Sequence, residues 1–269
     1  MSLPDPVRDQ VSRALDHLGC GSEITSIVPV GGGCINRGVR LDTSDGATHF
    51  LKWNPAASTH VFAAEAAGLA ALKATKTLRV PTPLAWNGGG EAPAWLLMEF
   101  IPEARPAPDS SARLGRGLAR IHGLASSPAL DSRPGSTGAF GWDHDNWIGA
   151  LPQSNQADES WSAFWRDQRI IPQLVLARRR NHLKSSEMDR LVDLIPVGLN
   201  SNTVPSLLHG DLWKGNCYFT ADGEAVLVDP AVYQGDSEVD LAMTELFGGF
   251  DPTFYSAYDE VRPISPEYA

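Results

Sequence analysis

Cysteine is scarce in this chain: there are three in 269 residues, at positions 20, 34 and 217. They are odd in number, far apart and without zinc-site spacing, so we expect neither a disulfide scaffold nor a structural zinc. The polar N-terminus, MSLPDPVRDQ, lacks the apolar core of a signal peptide. No apolar run reaches the roughly 18 residues that a membrane span needs. These absences predict a cytoplasmic protein that has no membrane partner.

Basic residues are also few. The chain has 22 Lys and Arg against 32 Asp and Glu, which gives a net charge of -10, and this balance disfavours a nucleic-acid partner. The basic run at 178–180 follows an apolar stretch and is interpreted as a solvated helix end. A hydrophobic content of 42% is typical of a globular protein, and the length allows one large domain or two lobes.

Periodicity and turn residues divide the chain into two parts. In the first part, Gly31–Gly33 and Asp45-Gly46 separate strands of alternating pattern. Pro106 and Pro108, with polar neighbours, then mark a change of composition. We therefore predict an N-terminal lobe at 1–102 and a C-terminal lobe at 103–269. The N-terminal elements are predicted as helices at 5–18 and 58–75, and as strands within 24–53, at 84–87 and at 94–99.

The second part is predicted to be mostly helical. Apolar residues at helical spacing predict helices at 109–125, 158–180, 186–195 and 236–247. The Gly-, Ser-, Pro- and Asn-rich stretch at 126–157 is interpreted as an ordered loop. A short strand after Pro205 leads into a loop, and a hairpin is predicted at 217–220 and 225–228.

The string HGDLWKGN, at 209–216, carries the strongest chemical signal, together with Asp229-Pro230. It places an Asp, an Asn five positions later and a second Asp after a short apolar run, which is the order used by kinase-like phosphotransferases. Asp211 would accept a hydroxyl proton, and Asn216 and Asp229 offer the hard oxygen ligands that Mg²⁺ prefers. We interpret His209 as a residue that orients the loop. The spacing predicts phosphoryl transfer from ATP.

Lys52 and Glu65 form a second candidate pair. Lys52 ends an apolar strand, and Glu65 lies in the next predicted helix. A kinase small lobe pairs such a Lys with a helix Glu and directs the ammonium at the ATP phosphates. Alone, these residues would be interpreted as a solvated Lys and an exposed Glu. The string at 209–216 favours the functional pair.

Two further segments are predicted to bind nucleotide. Gly31, Gly32, Gly33, Cys34 and Asn36 lie between two strands, where glycines let backbone N–H groups approach phosphate closely. The continuation matches neither a Walker loop nor a Rossmann turn. Between the predicted lobes, a segment could offer main-chain groups to adenine. It consists of Met98, Glu99, Phe100 and Ile101.

Two candidate residues, Trp213 and Cys34, each allow two interpretations. Trp213, two positions after Asp211, either packs against a sugar face or pins the loop. The other tryptophans of the C-terminal part are interpreted as core residues. They are Trp142, Trp147, Trp161 and Trp165. Cys34 is either a small turn residue or a redox-sensitive thiol, because nearby N–H groups and cations stabilise a thiolate.

Taken together, these residues resemble the fructosamine kinase and ketosamine-3-kinase family of kinase-like phosphotransferases. The similarity runs from about residue 20 to the end, and its last long string is more specific to this family than to kinases in general. The matching strings are GGGCIN (31–36), FLKWN (50–54), EAAGLAAL (65–72), GWDHDNWIG (141–149), HGDLWKGN (209–216), DPAVYQGDSEVDLAMTELFGGF (229–250) and FYSAY (254–258).

The resemblance implies a two-lobed, protein-kinase-like α+β fold, with a small antiparallel-sheet N-terminal lobe and a larger, mostly helical C-terminal lobe. It implies ATP- and Mg²⁺-dependent phosphorylation of the sugar O3' of ketosamines, the fructosamine or ribulosamine adducts of amines or protein lysines, in a deglycation repair role. It also implies that Asp211 is the base and that Trp213 lines the sugar pocket. Such proteins usually continue into further C-terminal helices, so we expect an exposed apolar patch on a monomer, or a homodimer.

Two other functions remain open at this point. The chain could be a small-molecule kinase of the aminoglycoside or choline type, which shares the catalytic plan. It could also be a catalytically silent nucleotide-binding relative. The intact set of Lys52, Glu65, Asp211, Asn216 and Asp229 argues against a silent relative.

Overall fold

A five-stranded antiparallel sheet forms the N-terminal lobe, with strand order β1-β2-β3-β5-β4. The computed structural model describes residues 3–19, 23–31, 36–56, 59–87, 93–124, 139–180, 186, 190, 192–195, 199, 203–266 and 268. The strands are β1 (Ile24–Val30), β2 (Arg37–Thr43), β3 (Thr48–Asn54), β4 (Pro83–Trp86) and β5 (Ala94–Glu99). In this register Lys52 of β3 lies opposite Gly38 of β2 and Leu96 of β5, so the lysine occupies the centre of the sheet.

Two helices cover this sheet. Helix α1 (Asp5–Leu18) buries Val7, Val11 and Leu15 against β2, β3 and β5, as the spacing of its apolar residues predicts. Helix α2 (Thr59–Ala74) contributes to a different core, which it shares with the C-terminal lobe. Glu65 lies on α2, so the position of this carboxylate depends on both lobes.

The C-terminal lobe is built from helices and short strand pairs. Its helices are α3 (Ser110–Gly123), α4 (Trp161–Phe164), a π-helical segment (Trp165–Ile170), α5 (Ile171–Arg179), α6 (Glu238–Glu245) and α7 (Pro252–Asp259). Its strands are β6 (Asn146–Ile148), β7 (Leu151–Gln153), β8 (Ser206–Leu208), β9 (Cys217–Phe219), β10 (Ala225–Leu227) and β11 (Tyr233–Gly235), which pair β6 with β7, β9 with β10 and β8 with β11. The prediction of a two-lobed α+β fold is confirmed.

The main chain connects the lobes beside the segment at 98–101. The N–H of Ala104 donates to the carbonyl of Phe219 at 2.7 Å, and the N–H of Leu227 donates to the carbonyl of Arg79 at 3.0 Å. The Tyr218 hydroxyl donates to the Ile101 carbonyl at 3.1 Å. The β9–β10 hairpin of the C-terminal lobe is therefore bonded to the segment before β4 and to the segment after β5. None of the helices within the described ranges is long and apolar enough to cross a membrane.

The prediction of a loop at 126–157 is wrong for its last part, because residues 146–153 form the β6–β7 hairpin. The predicted helix at 158–180 begins only at Trp161, since Asp158 pairs with Phe140 through two backbone hydrogen bonds and Ser160 caps the helix. Residues 126–138 of the predicted loop, and residues 187–189 and 191 of the helix predicted at 186–195, lie outside the described residues.

The π-helical segment ends two residues before Pro172. Pro172 has no N–H to donate to the carbonyl of Gln168, four residues earlier. The guanidinium of Arg169 donates to that carbonyl instead, at 3.2 Å. The irregular turn therefore lies where a regular helix would lose a hydrogen bond.

Candidate active site

The loop after β8 is held by a buried carboxylate that our sequence analysis missed. The backbone N–H groups of His209 and Gly210 donate to Asp240 at 2.7 and 2.9 Å, and the His122 ring lies 3.2 Å from the same side chain. Asp240 is fully buried in α6. Burial opposes its ionised form, but the hydrogen bonds from His122 and from the backbone outweigh burial and lower the pKa of Asp240. The ionised Asp240 thus holds the backbone of His209 and Gly210 in place.

Gly210 lets the chain turn sharply before Asp211. Its φ is +80°, and a Cβ atom at this position would lie 2.0 Å from the Ala231 carbonyl oxygen. The N–H of Ala231 donates to the His209 carbonyl at 2.8 Å. The loop therefore runs directly against the segment that follows Asp229, and the close approach requires glycine.

His209 lies inside the fold. Its side chain is buried, and Nε2 lies 3.0 Å from the Val228 carbonyl. Burial lowers the pKa of His209, so the ring is neutral at pH 7 and donates to that carbonyl. This geometry agrees with a residue that orients the loop.

Asp211 and Asn216 contact each other directly. The Asn216 amide donates to the Asp211 carbonyl at 2.8 Å and to its carboxylate at 3.0 Å. Burial raises the pKa of Asp211 to about 6, with smaller raising effects from Asp229 and Asp240 and an opposing effect from Asn216. Because the Asn216 NH₂ group is turned towards Asp211, its amide oxygen is left for another ligand.

Asp229, Lys52 and Glu65 form one ionic cluster. Lys52 Nζ lies 2.7 Å from Glu65 Oε1 and 2.7 Å from Asp229 Oδ1. The side chains of Lys52 and Glu65 are 7% and 9% exposed, whereas that of Asp229 is 42% exposed. Burial disfavours the ammonium, but the two carboxylates outweigh it and raise the pKa of Lys52. Lys52 therefore carries a fixed positive charge.

Asp229 also has an unusual backbone. Its φ of +57° lies in the left-handed region, which residues other than glycine seldom occupy. Such strained positions cluster at functional sites. Here the strained residue contacts Lys52, and its near neighbours Val228 and Ala231 contact His209.

The side chains of the ionic cluster, together with Asp211 and Asn216, line one cavity of about 550 Å³ between the lobes. Gly31, Asn36 and the segment at 98–101 contribute to the same cavity, so the structure brings together most of the residues that the sequence singled out. The lining residues proposed from the sequence are Gly31, Asn36, Lys52, Glu65, Met98, Glu99, Phe100, Ile101, Asp211, Trp213, Asn216 and Asp229. Gly32, Gly33 and Cys34 lie outside the described residues, so the structure does not test the redox hypothesis for Cys34.

The tryptophans differ from one another in position. Trp161 is buried in an aromatic cluster with Phe140, Phe164 and Trp165, as predicted for a core residue. Trp147 instead lines the cavity, so its assignment to the core was wrong. The error arose because the β6–β7 hairpin was read as a loop. Trp213 also lines the cavity, with its ring 5.3 Å from that of Phe247.

Comparison with known proteins agrees with this geometry. A sequence model of the fructosamine kinase family matches residues 7–269. The chain belongs to the fructosamine kinase family. The match confirms the resemblance based on the strings at 31–36, 209–216 and 229–250.

Individual relatives give the same result. A probable ketoamine kinase from Synechocystis is 41% identical over 239 residues, which cover 89% of this chain and 77% of the relative. A chloroplastic protein-ribulosamine 3-kinase from Arabidopsis thaliana is 35% identical over 98% of this chain and 77% of its own length. The crystal structure of a putative fructosamine-3-kinase from Haemophilus somnus superimposes with a TM-score of 0.83 at 28% identity, and the match covers 96% of this chain and 83% of that one.

Proposed function

We propose that this member of the fructosamine kinase family transfers the γ-phosphoryl group of ATP to the sugar O3' of ketosamines. The observation that carries the proposal is the position of Lys52 Nζ, 2.7 Å from both Glu65 and Asp229, in the cavity that also holds Asp211. The names of the relatives from Synechocystis and Arabidopsis support a ketosamine as the acceptor class.

Asn216 and Asp229 are the proposed Mg²⁺ ligands. Asp229 uses Oδ1 for Lys52, which leaves Oδ2, and Asn216 presents its amide oxygen. Within the parts of the chain that the structure describes, no group of three His, Cys, Asp or Glu side chains is arranged to hold a metal alone. An amide and a carboxylate fit Mg²⁺, which is usually held by one or two protein ligands plus substrate phosphates. When bound, Mg²⁺ would neutralise charge on the phosphates.

Lys52 and Glu65 are proposed to orient the nucleotide phosphates. Lys52 is held as an ammonium by two carboxylates, so it offers a charge whose position is fixed before the nucleotide binds. A preorganised charge stabilises developing negative charge without reorganisation during the reaction. Gly31, Gly32, Gly33, Cys34 and Asn36 would cover the phosphates in the same proposal.

The segment at 98–101 is proposed to bind adenine. The Glu99 carboxylate accepts hydrogen bonds from Thr82 and from Arg79, so this side chain serves to hold the segment. The Tyr218 hydroxyl bonds the Ile101 carbonyl. Recognition of adenine would therefore rest on the remaining main-chain groups at 98–101 and on the apolar side chains of Met98 and Phe100.

Asp211 is the proposed general base. As the O3'–phosphorus bond forms and the bond between phosphorus and the ADP oxygen breaks, the hydroxyl proton passes to the Asp211 carboxylate. Because burial raises the pKa of Asp211 to about 6, this carboxylate is a stronger base than an exposed aspartate and is still ionised at neutral pH. The Asn216 amide holds the carboxylate in place.

Trp213 is proposed to line the sugar pocket, since it borders the cavity beside the loop that carries Asp211. Phosphorylation of O3' would destabilise the adduct and release the free amine, which is a repair of glycated amines. We also propose a cytoplasmic site of action, lobes at 1–102 and 103–269, and a monomer or homodimer.

The proposal is tested by ADP formation from Mg-ATP with a small fructosamine or ribulosamine. We expect ketosamine-dependent turnover that falls by about two or more powers of ten in Asp211→Asn, with ATP affinity retained. Asp9→Asn, an exposed change on α1, is the matched control and should behave as the parent. Turnover with choline or an aminoglycoside but not with ketosamines would reject the proposal, as would near-normal turnover of Asp211→Asn.

A further inference from the structure

The β6–β7 hairpin is fixed firmly at the edge of the cavity. Asn146, at its start, is buried, and its amide donates to the Val232 carbonyl at 2.8 Å. The Gln153 amide donates to the Asn146 side-chain oxygen at 2.9 Å. Val232 lies just beyond Asp229, so the hairpin is tied to the segment that carries a proposed Mg²⁺ ligand.

A second set of contacts holds the chain on either side of the hairpin. The Asn155 N–H donates to Asp145 at 2.9 Å, and the Asn155 amide donates to the His144 carbonyl at 3.0 Å. Arg169 donates to the Asn155 side chain at 2.7 Å, and its guanidinium lies over the Tyr233 ring at 4.1 Å. Hydrogen bonds therefore fix the backbone on both sides of the hairpin that carries Trp147.

Trp147 lines the cavity from a strand that packs against helix α2. Helix α2 packs against β6, and the cavity is lined there by Val61, Ala64 and Glu65 as well as Trp147. The segment at 98–101, beside the connection between the lobes, is the proposed adenine site. Glu65 belongs to the ionic cluster of Lys52, so the strand that carries Trp147 packs against the helix that carries one member of that cluster.

The acceptor chemistry gives this ring a specific partner. A ketosamine joins its sugar to an amine through a secondary nitrogen that carries a proton at neutral pH, only a few covalent bonds from O3'. With O3' at Asp211, that nitrogen must lie within the same cavity. The carboxylates of Asp211 and Asp229 favour a cation there, and the face of a tryptophan is the strongest aromatic site for one.

We propose that Trp147 is a specificity-determining residue that recognises the protonated linking nitrogen of the ketosamine through a cation–π contact. This inference rests on the proposed function, because it assumes a ketosamine acceptor. It assigns the two tryptophans of the cavity different tasks: Trp213 borders the sugar beside Asp211, and Trp147 distinguishes a charged amine adduct from a neutral sugar conjugate.

The test compares two acceptors and two variants. One acceptor is a small fructosamine, and the other is its ether analogue, in which oxygen replaces the charged linking nitrogen. Trp147→Phe keeps an aromatic face, whereas Trp147→Leu keeps an apolar side chain without one. We expect Trp147→Leu to lower kcat/KM for the fructosamine by about tenfold and to leave the ether analogue within about twofold, while Trp147→Phe loses much less for either acceptor.

Two further measurements separate this role from a structural one. The melting temperature and the Mg-ATP affinity of both variants should equal those of the parent. An equal fold-loss of kcat/KM for both acceptors in Trp147→Leu, which leaves the preference for the fructosamine unchanged, would overturn the inference. A parent enzyme that turns over neither acceptor would reject the proposed function itself, and the inference with it.

Discussion

Replacement of Asp240 by Asn should expose how the loop at 209–211 is held. Asp240 is fully buried and accepts hydrogen bonds from the N–H groups of His209 and Gly210 at 2.7 and 2.9 Å. An Asn side chain has only one oxygen, so one of these buried N–H groups would face an NH₂ group. Hydrogen bonds to a charged group contribute about 1.5–3 kcal/mol, and an unsatisfied buried donor costs about 1–3 kcal/mol. We expect a loss of about 3 kcal/mol in the free energy of unfolding.

The same change should alter the response to acid. The pKa of Asp240 is lowered in the folded protein, so its stabilising effect is present above the unfolded-state pKa of about 3.9 and is lost as pH falls through the lower folded value. The parent should therefore lose stability below about pH 4 through this residue. The Asn variant carries no carboxylate here and should lack that component of the acid limb.

Urea unfolding between pH 3 and 7 measures both effects. The matched control is Glu260→Gln, which weakens an exposed contact with Arg116 and should change stability by no more than about 0.5 kcal/mol. Ketosamine turnover should also fall in Asp240→Asn, because Asp211 directly follows the two held N–H groups. An Asn variant with parental stability and a parental acid limb would refute this account of the loop.

Three other changes test the remaining parts of the site. Lys52→Met removes the ammonium between Glu65 and Asp229, so kcat/KM for ATP should fall by about 100-fold; a steady-state rate within a few-fold of the parent would contradict the role of Lys52. Asp229→Ala should weaken ATP binding at least about tenfold in Mg²⁺ but much less in EDTA, and calorimetric affinities that fall equally in both would argue against a metal ligand. Gly210→Ala should lower the free energy of unfolding by more than about 2 kcal/mol, because it adds a clash with Ala231 to an unfavourable φ. In the matched change Gly46→Ala only the φ of +86° opposes the new side chain, and equal losses for the two variants would rule out the clash.

The sequence was most informative where local pattern and chemistry coincide. The spacing of Val7, Val11, Leu15 and Leu18 predicted α1 with its correct bounds, although Leu18 is exposed at the helix end. An amphipathic helix is defined by residues close in sequence. The order Asp211, Asn216 and Asp229 likewise implied neighbouring side chains, because the β9–β10 hairpin between them returns the chain to the same place.

Contacts between distant segments could not be predicted in the same way. Asp240 of α6 contacts the loop at 209–211, and His122 of α3 contacts Asp240; no spacing in the sequence indicates these contacts. The β6–β7 hairpin was missed because its strands are three residues each, contain Asn and Pro, and are joined by a turn with Gly149, residue types that usually indicate a loop. That error placed Trp147 in the core and hid its position in the cavity. The string DPAVYQGDSEVDLAM held the available signal for Asp240, an acidic residue among the apolar positions of a helix.

The most direct test of the central claim is the structure of the product. A fructosamine is incubated with the protein and Mg-ATP, and the product is analysed by phosphorus and carbon NMR. The account predicts a single phosphate on O3' of the sugar, followed by slow release of the free amine. A phosphate on another hydroxyl, or a phosphorylated adduct that never releases its amine, would contradict the proposal that this chain is a ketosamine 3-kinase.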